Sequence, residues 1–130
     1  MTTPTAPLPA PDTVLNFWFK EASPKQHFSK DPAFDATIRE RFLTLHAQAA
    51  AGELWSWRAT PPGRLAEIIV LDQFSRNLYR NDPRAFAQDG MALVLAQEAV
   101  RQGADLALEP AQRAFLYMPY MHSESARVQE

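Results

Sequence analysis

The stretch RLAEIIVLDQFSRNLYR, residues 64–80, carries the densest pattern in the chain. Its first half is apolar nearly all round, as is typical of a buried central helix. Its second half sets polar side chains at helical spacing beside that apolar run, namely Asp72, Gln73, Arg76, Asn77 and Arg80. Asp72 and Arg76 stand four residues apart with the acid first, so they can pair within one helix, and the planar guanidinium keeps donors for a second acceptor. The stretch predicts a central helix over 61–79 that bears a half-buried polar cluster.

Outward from this helix, prolines mark the starts of others, because the first helical position tolerates a residue without an N–H. Capping side chains precede three of them, at Asp31-Pro32, Thr60-Pro61 and Asp82-Pro83. We predict further helices over 12–20, 33–51, 83–102 and 110–117, and one beginning at 123. Asp89-Gly90 is a possible break in the helix over 83–102 and would leave a shorter helix over 91–101. Pro119 should end or kink the helix over 110–117.

The predicted fold class is all-α, because no segment alternates apolar and polar residues between hairpin turns. The prolines at 11, 61 and 110, and those at 32 and 83, lie about 50 residues apart, which favours antiparallel helix pairs stacked on one another. Residues 1–11 hold four prolines and no charge and are predicted to be a flexible lead-in. Residues 12–130 are predicted to form a single helical domain.

Composition excludes several classes of protein. With 46% hydrophobic residues among 130, the chain can bury a core, so general disorder is excluded. The net charge of −2 disfavours nucleic acid and anionic membrane as partners. There is no cysteine, so disulfides and thiolate sites are excluded. No apolar run is long enough to span a bilayer and no targeting segment is recognisable, so we expect a cytoplasmic protein.

Two surface features are predicted outside the central helix. Asp35 and Arg39, four residues apart, should form a solvent-exposed ion pair.

Trp55 and Trp57 stand in a connector over 53–60. They are therefore better candidates for an exposed aromatic anchor than the aromatic residues at helical spacing, which more often belong to a core.

The second informative stretch is RAFLYMPYMHSE, residues 113–124, where His122, Ser123 and Glu124 adjoin a proline that should end the helix. A nucleophilic site is disfavoured, because neighbours in sequence rarely form a triad and no G-x-S-x-G turn is present. The three histidines are far apart and lack metal-ligand spacing. We therefore predict no metal site and no cofactor, and expect Ser123 to cap the helix that follows.

With these residues in view, the chain resembles DUF924, a family of bacterial proteins of unknown function placed with the TPR-like α-α superhelices. The resemblance rests on FWF at 17–19, GELW at 52–55, LDQFSRNLYR at 71–80, AFAQD at 85–89 and YMPYMHSE at 117–124. It implies a TPR-like α-α superhelix and no established activity. This chain has Ser75 where the family typically has proline. Family members usually continue past MHSE, so the chain is expected to represent about the first two-thirds of the family domain, without its C-terminal helices.

The candidate ligand-binding residues are Asp72, Gln73, Arg76, Asn77, Arg80, Asp89, Tyr117, His122 and Glu124. They fit either a structural network that ties helices together or a pocket between helix pairs. The leading functional hypothesis is a non-enzymatic binding module for a small acidic ligand or a peptide.

Two alternatives stay open. One is a small hydrolase that uses His122 with Asp72, Asp89 or Glu124, and a hydrogen bond from His122 to a carboxylate in an open pocket would favour it. The other is a structural part of a larger assembly. An apolar face left open by missing helices also predicts self-association of the chain.

Overall fold

A computed structural model describes residues 7–123 and 125–129, and five of the eight α-helices within them begin at a proline. The eight helices are α1 (Pro11–Asn16), α2 (Pro24–Phe28), α3 (Pro32–Ala50), α4 (Pro61–Ile69), α5 (Ser75–Leu78), α6 (Asp89–Arg101), α7 (Pro110–His122) and α8 (Ala126–Gln129). Short 3-10 turns occupy Trp55–Ala59, Pro83–Phe86 and Ala104–Ala107. No described residue lies in a strand, which confirms the all-α fold class. The superhelical stacking stays a prediction, and most of the proposed lead-in, residues 1–6, lies outside the described part of the chain.

Three of the predicted starts have the side-chain cap that the sequence indicates, two at α-helices and one at the 3-10 turn Pro83–Phe86. Asp31 accepts a hydrogen bond from the Phe34 N–H at 3.1 Å, and Thr60 accepts one from the Gly63 N–H at 3.1 Å. Asp82 accepts from the Arg84 N–H at 2.9 Å. Each side chain satisfies a backbone donor that a helix start leaves without a partner.

The central helix runs through the interior, as predicted, but it is not a regular α-helix throughout. A π-helical turn, Val70–Phe74, separates α4 from α5, and a second one, Phe17–Glu21, follows α1. All five residues of Val70–Phe74 are buried. A π turn inserts a residue into the helix and shifts the direction of the side chains that follow. Asp72 and Gln73 therefore enter the interior from a locally widened helix.

Two predicted boundaries change. The predicted helix over 83–102 is interrupted near Asp89, in agreement with the alternative of a break at Asp89-Gly90. A 3-10 turn, Pro83–Phe86, precedes α6. The predicted stop near Tyr117 is wrong, because α7 continues through a buried Pro119 to His122. Proline deprives the Phe115 carbonyl of its helical donor. Packing of α7 against α4 and α6 outweighs that loss.

The predicted surface pair of Asp35 and Arg39 is also wrong. Asp35 accepts hydrogen bonds from Arg80 and Asn77, both at 2.8 Å at the closest, and Arg39 donates to the Leu78 carbonyl. Both side chains of α3 thus bind the end of the central helix. Arg39 satisfies a carbonyl that the helix end leaves open, and Asp35 pairs with two side chains of the central segment. Both contacts are partly buried and are worth more than a solvent-exposed pair.

Of the two tryptophans proposed as exposed anchors, the structure supports one. The side chain of Trp55 is 69% exposed, whereas Trp57 belongs to the core at 5%. The connector is a 3-10 turn, so residues two apart in it point to different sides.

Buried His46 joins α3 to the start of α5. Ser75 donates its only hydroxyl proton to the Leu71 carbonyl at 2.6 Å, so its Oγ must accept from His46 Nε2, 2.7 Å away. Burial lowers the pKa of His46 below its ordinary value. Burial also lowers the pKa of His27, although a hydrogen bond to the Trp18 carbonyl opposes the effect.

The lowered pKa values of His46 and His27 determine the direction in which the free energy of unfolding changes with pH. The two rings take up protons at a higher pH in the unfolded chain, near pH 6.5, than in the folded chain, so the free energy of unfolding should fall as the pH is lowered from 7 towards 5. A glutamine side chain in place of the imidazole could still donate to Ser75 but cannot be protonated, so His46→Gln should lessen the slope by up to about 1.4 kcal/mol per pH unit. Urea unfolding at several pH values measures both slopes. Equal slopes in the two proteins would contradict the assignment.

Candidate functional site

The centre of the candidate site is the carboxylate of Asp72, whose side chain is fully buried. Oδ1 lies 3.2 Å from Arg76 Nη1 and 2.7 Å from His122 Nδ1. Oδ2 accepts from Gln73 Nε2 at 2.9 Å. The donors come from the π turn, from α5 and from the end of α7. One buried charge is thereby satisfied from three directions, as burial of a carboxylate requires.

Arg76 joins this carboxylate to a second one. Its Nη1 and Nη2 hydrogen-bond Asp89 Oδ1 and Oδ2 at 2.9 and 3.0 Å, a two-pronged pair. Nη1 also donates to the Asp72 carbonyl at 2.9 Å. The predicted pair between Asp72 and Arg76 is present, and the donors expected to remain go to Asp89. The guanidinium carbon lies 5.3 Å from the centroid of the Phe86 ring.

Beside this network lies a cleft of about 530 Å³. Polar side chains of Arg76, Asp89 and His122 line it together with apolar ones of Phe86, Leu93 and Pro119. Gly90 and Ser123 complete the lining. Apart from the neighbouring residues and the backbone of α6 itself, nothing lies within 4 Å of where a Cβ of Gly90 would stand, so the start of α6 leaves open space at the cleft. Few polar groups on mostly apolar walls are typical of small-molecule sites.

His122 is the one histidine that lines this cleft, and its ring is oriented by Asp72. A carboxylate only accepts hydrogen bonds, so the neutral ring carries its proton at Nδ1 and its lone pair at Nε2. The side chain is 26% exposed, while that of Asp72 is 0% exposed. Within 7–123 and 125–129, no hydrogen bond occupies Nε2. The ring therefore offers a fixed acceptor to a molecule bound in the cleft.

The structure brings five of the predicted site residues together: Asp72, Gln73, Arg76, Asp89 and His122. It places three others, Asn77, Arg80 and Tyr117, outside this group. Asn77 and Arg80 bind Asp35 of α3. Arg80 lies beyond α5, which ends at Leu78, where the chain turns through Asn81, whose φ is 65°. The helical spacing that aligned Arg80 with Arg76 does not extend that far.

Tyr117 also lies outside the cluster. Its hydroxyl donates to Asp105 Oδ2 at 2.6 Å, and this hydrogen bond raises the pKa of Tyr117 above its ordinary value. Glu124 falls outside the described residues, so its predicted role stays a prediction.

The apolar lining was not predicted from the sequence. Phe86 and Leu93 flank Asp89 at distances of three and four residues, a helical spacing that could have drawn attention to them. Because a proline predicts the end of a helix, the sequence does not indicate that Pro119 lies three residues before His122 on the same helix.

The described part of the chain holds neither a metal-ligating cluster nor a helix suited to a membrane. Among residues 7–123 and 125–129 no three histidine, aspartate or glutamate side chains are grouped so that they could hold a metal ion. None of the described helices combines the length and the apolar character needed to cross a bilayer.

Comparisons with known proteins give a family and a structural relative. The family model described as bacterial protein of unknown function (DUF924) matches residues 14–130. The chain is similar to a solved structure of a protein of unknown function from Agrobacterium tumefaciens, with 38% sequence identity and a TM-score of 0.87. That match covers 92% of this chain and 67% of the other. No functionally curated protein matches the chain.

The hydrogen bonds predict which nitrogen carries the proton in each histidine. His122 should be protonated at Nδ1, whereas His46 and His27 should be protonated at Nε2, because their partners are Ser75 Oγ and the Trp18 carbonyl. Long-range proton–nitrogen NMR spectra of a ¹⁵N-labelled sample distinguish the two forms at a pH where the rings are neutral. A proton at Nε2 of His122 would show that its bond to Asp72 does not exist in solution.

Proposed function

The chain belongs to DUF924, a family of proteins of unknown function, and we propose that its cleft is a small-molecule site in which His122 exchanges a proton with the bound molecule. The observation that carries the proposal is the 2.7 Å contact between His122 Nδ1 and the buried Asp72 carboxylate at the wall of an open cleft. This is the geometry that favours the hydrolase alternative over binding alone.

The role of Asp72 follows from charge. When His122 Nε2 takes up a proton, the imidazolium lies against a carboxylate that solvent does not screen. The bond also holds the ring in one tautomer and one orientation, so no reorganisation is needed when the proton moves. Gln73 and Arg76 hold the carboxylate from its other sides.

Hydrolysis is the reaction class that such a base serves directly. A water in the cleft gives its proton to His122 Nε2 while its oxygen adds to an electrophilic carbon. His122 then returns that proton to the leaving group as the bond between this group and the carbon breaks. The apolar wall formed by Phe86, Leu93 and Pro119 would hold the rest of the substrate. No side chain needs to form a covalent intermediate in this scheme.

A generic neutral ester tests this proposal. We expect the protein to hydrolyse p-nitrophenyl butyrate, and His122→Asn to lower kcat/KM by about 10²- to 10⁴-fold, since asparagine can donate to Asp72 but is not a base. Release of p-nitrophenolate measures the rate.

The matched control is His46→Gln, which alters a buried histidine that does not line this cleft. It should hydrolyse the ester as the unchanged protein does. A rate in the unchanged protein no higher than in buffer, or equal rates with and without His122, would contradict the proton-exchange role.

A second candidate is the non-enzymatic module for a small acidic ligand or a peptide. Arg76 supports it, because a guanidinium in a cleft wall suits a carboxylate. The start of α6 supports it as well, since Gln88 provides no side-chain cap for the backbone N–H groups there. The ligand would have to replace Asp89 at the guanidinium.

The proposal also includes self-association of the chain. The chain would then be a structural part of a larger assembly, located in the cytoplasm. Exposed apolar side chains support self-association: Val94 on α6 is 62% exposed and Leu106 is 76% exposed. Sedimentation equilibrium should show a mass that rises with protein concentration. A mass equal to that of one chain at all concentrations would contradict it.

A further inference from the structure

The charges around the cleft indicate which ligands it accepts. Among the described side chains of the network there are two carboxylates, Asp72 and Asp89, and one guanidinium, Arg76. With His122 in its neutral form the network carries one net negative charge. Uptake of a proton by His122 brings it to zero.

The edge of the Arg76 guanidinium formed by Nη1 and Nη2 is already occupied. Both of its terminal nitrogens already face Asp89, at 2.9 and 3.0 Å, and one of them also donates to Asp72. Binding of a carboxylate ligand would therefore remove its hydration and bring it close to two carboxylates of the same charge. The two-pronged edge of the guanidinium that would otherwise bind it is occupied by Asp89.

Asp89 is the carboxylate that a ligand can reach. Its side chain is 27% exposed, whereas that of Asp72 is 0% exposed. Each of its oxygens has two lone pairs, and Arg76 uses one on each, so acceptor positions remain towards the cleft.

Phe86 adds a surface for the same kind of ligand. Its side chain is 60% exposed and lines the cleft beside Asp89. An aromatic face attracts cations through its quadrupole and also packs against apolar groups.

We propose that the cleft selects a protonated amine on an apolar body over a carboxylate of the same shape, with Asp89 as the residue that determines the selection. The inference rests on the proposed function, namely that the cleft at His122 binds a small molecule. It assigns to that molecule a charge opposite to that of an acidic ligand.

Three probes of similar size and different charge test the selection: 2-phenylethylamine, 2-phenylethanol and phenylacetate. Calorimetric titration at pH 7 should give the amine a Kd about tenfold lower than that of phenylacetate, with the alcohol between them. Changes in the NMR signals of His122 and Gly90 show that the probes enter this cleft.

Asp89→Asn gives the sharper test, because it removes the reachable carboxylate and frees the Arg76 guanidinium. The order should reverse, so that phenylacetate binds best. The matched control is Asp82→Asn, which removes an aspartate paired with Arg84 outside the cleft and should keep the original order. Phe86→Ala, at an exposed position, should weaken the amine more than the alcohol. Circular dichroism verifies that each variant is folded.

Each outcome has a distinct meaning. If none of the three probes binds, the proposed small-molecule site is wrong and the selection with it. If phenylacetate binds the unchanged protein as well as the amine does, the site stands and the charge selection is wrong. An unchanged order in Asp89→Asn would overturn the role of Asp89.

Discussion

Burial of the Asp72 carboxylate is the constraint on which the rest of the site depends. A carboxylate removed from water is strongly destabilising unless donors surround it. Gln73 supplies one from the same π turn, Arg76 one from α5 and His122 one from α7. Because the last donor lies fifty positions further along the chain, satisfying Asp72 also fixes the end of α7 against the central helix. The cleft is the space left between that end and the start of α6.

The same constraint explains why the polar residues of the central helix divide into two groups. Residues on the π turn and α5 that reach Asp72 join the cleft network, whereas Asn77 and Arg80 meet Asp35 of α3. Both groups satisfy charges between helices, as a purely structural network would. Only the first group borders an open cleft through a histidine with a fixed acceptor, and this separates a candidate site from a structural contact.

The starts of α3 and α4 could be predicted from the sequence, because a proline after a capping residue is a local signal, whereas α2, which begins in the same way at Ser23-Pro24, was not predicted. The pair of Asp72 with Arg76 could be predicted for the same reason, since four residues of helix define its geometry. The position of Arg80 could not, because the π turn and the end of α5 break the periodicity on which the expectation relied. Neither could the partners of Asp35, the continuation of α7 past Pro119 or the apolar wall, which depend on contacts between distant segments.

Pro119 gives the last turn of α7 an unusual source of order. Because proline has no N–H, this turn is joined to the preceding one by one fewer backbone bond, and the contact of His122 with Asp72 anchors it instead. Opening of the helix end and loss of the oriented imidazole are then a single local unfolding event. The protection of the amides at the end of α7 from hydrogen exchange would accordingly report the fraction of molecules in which the cleft is assembled.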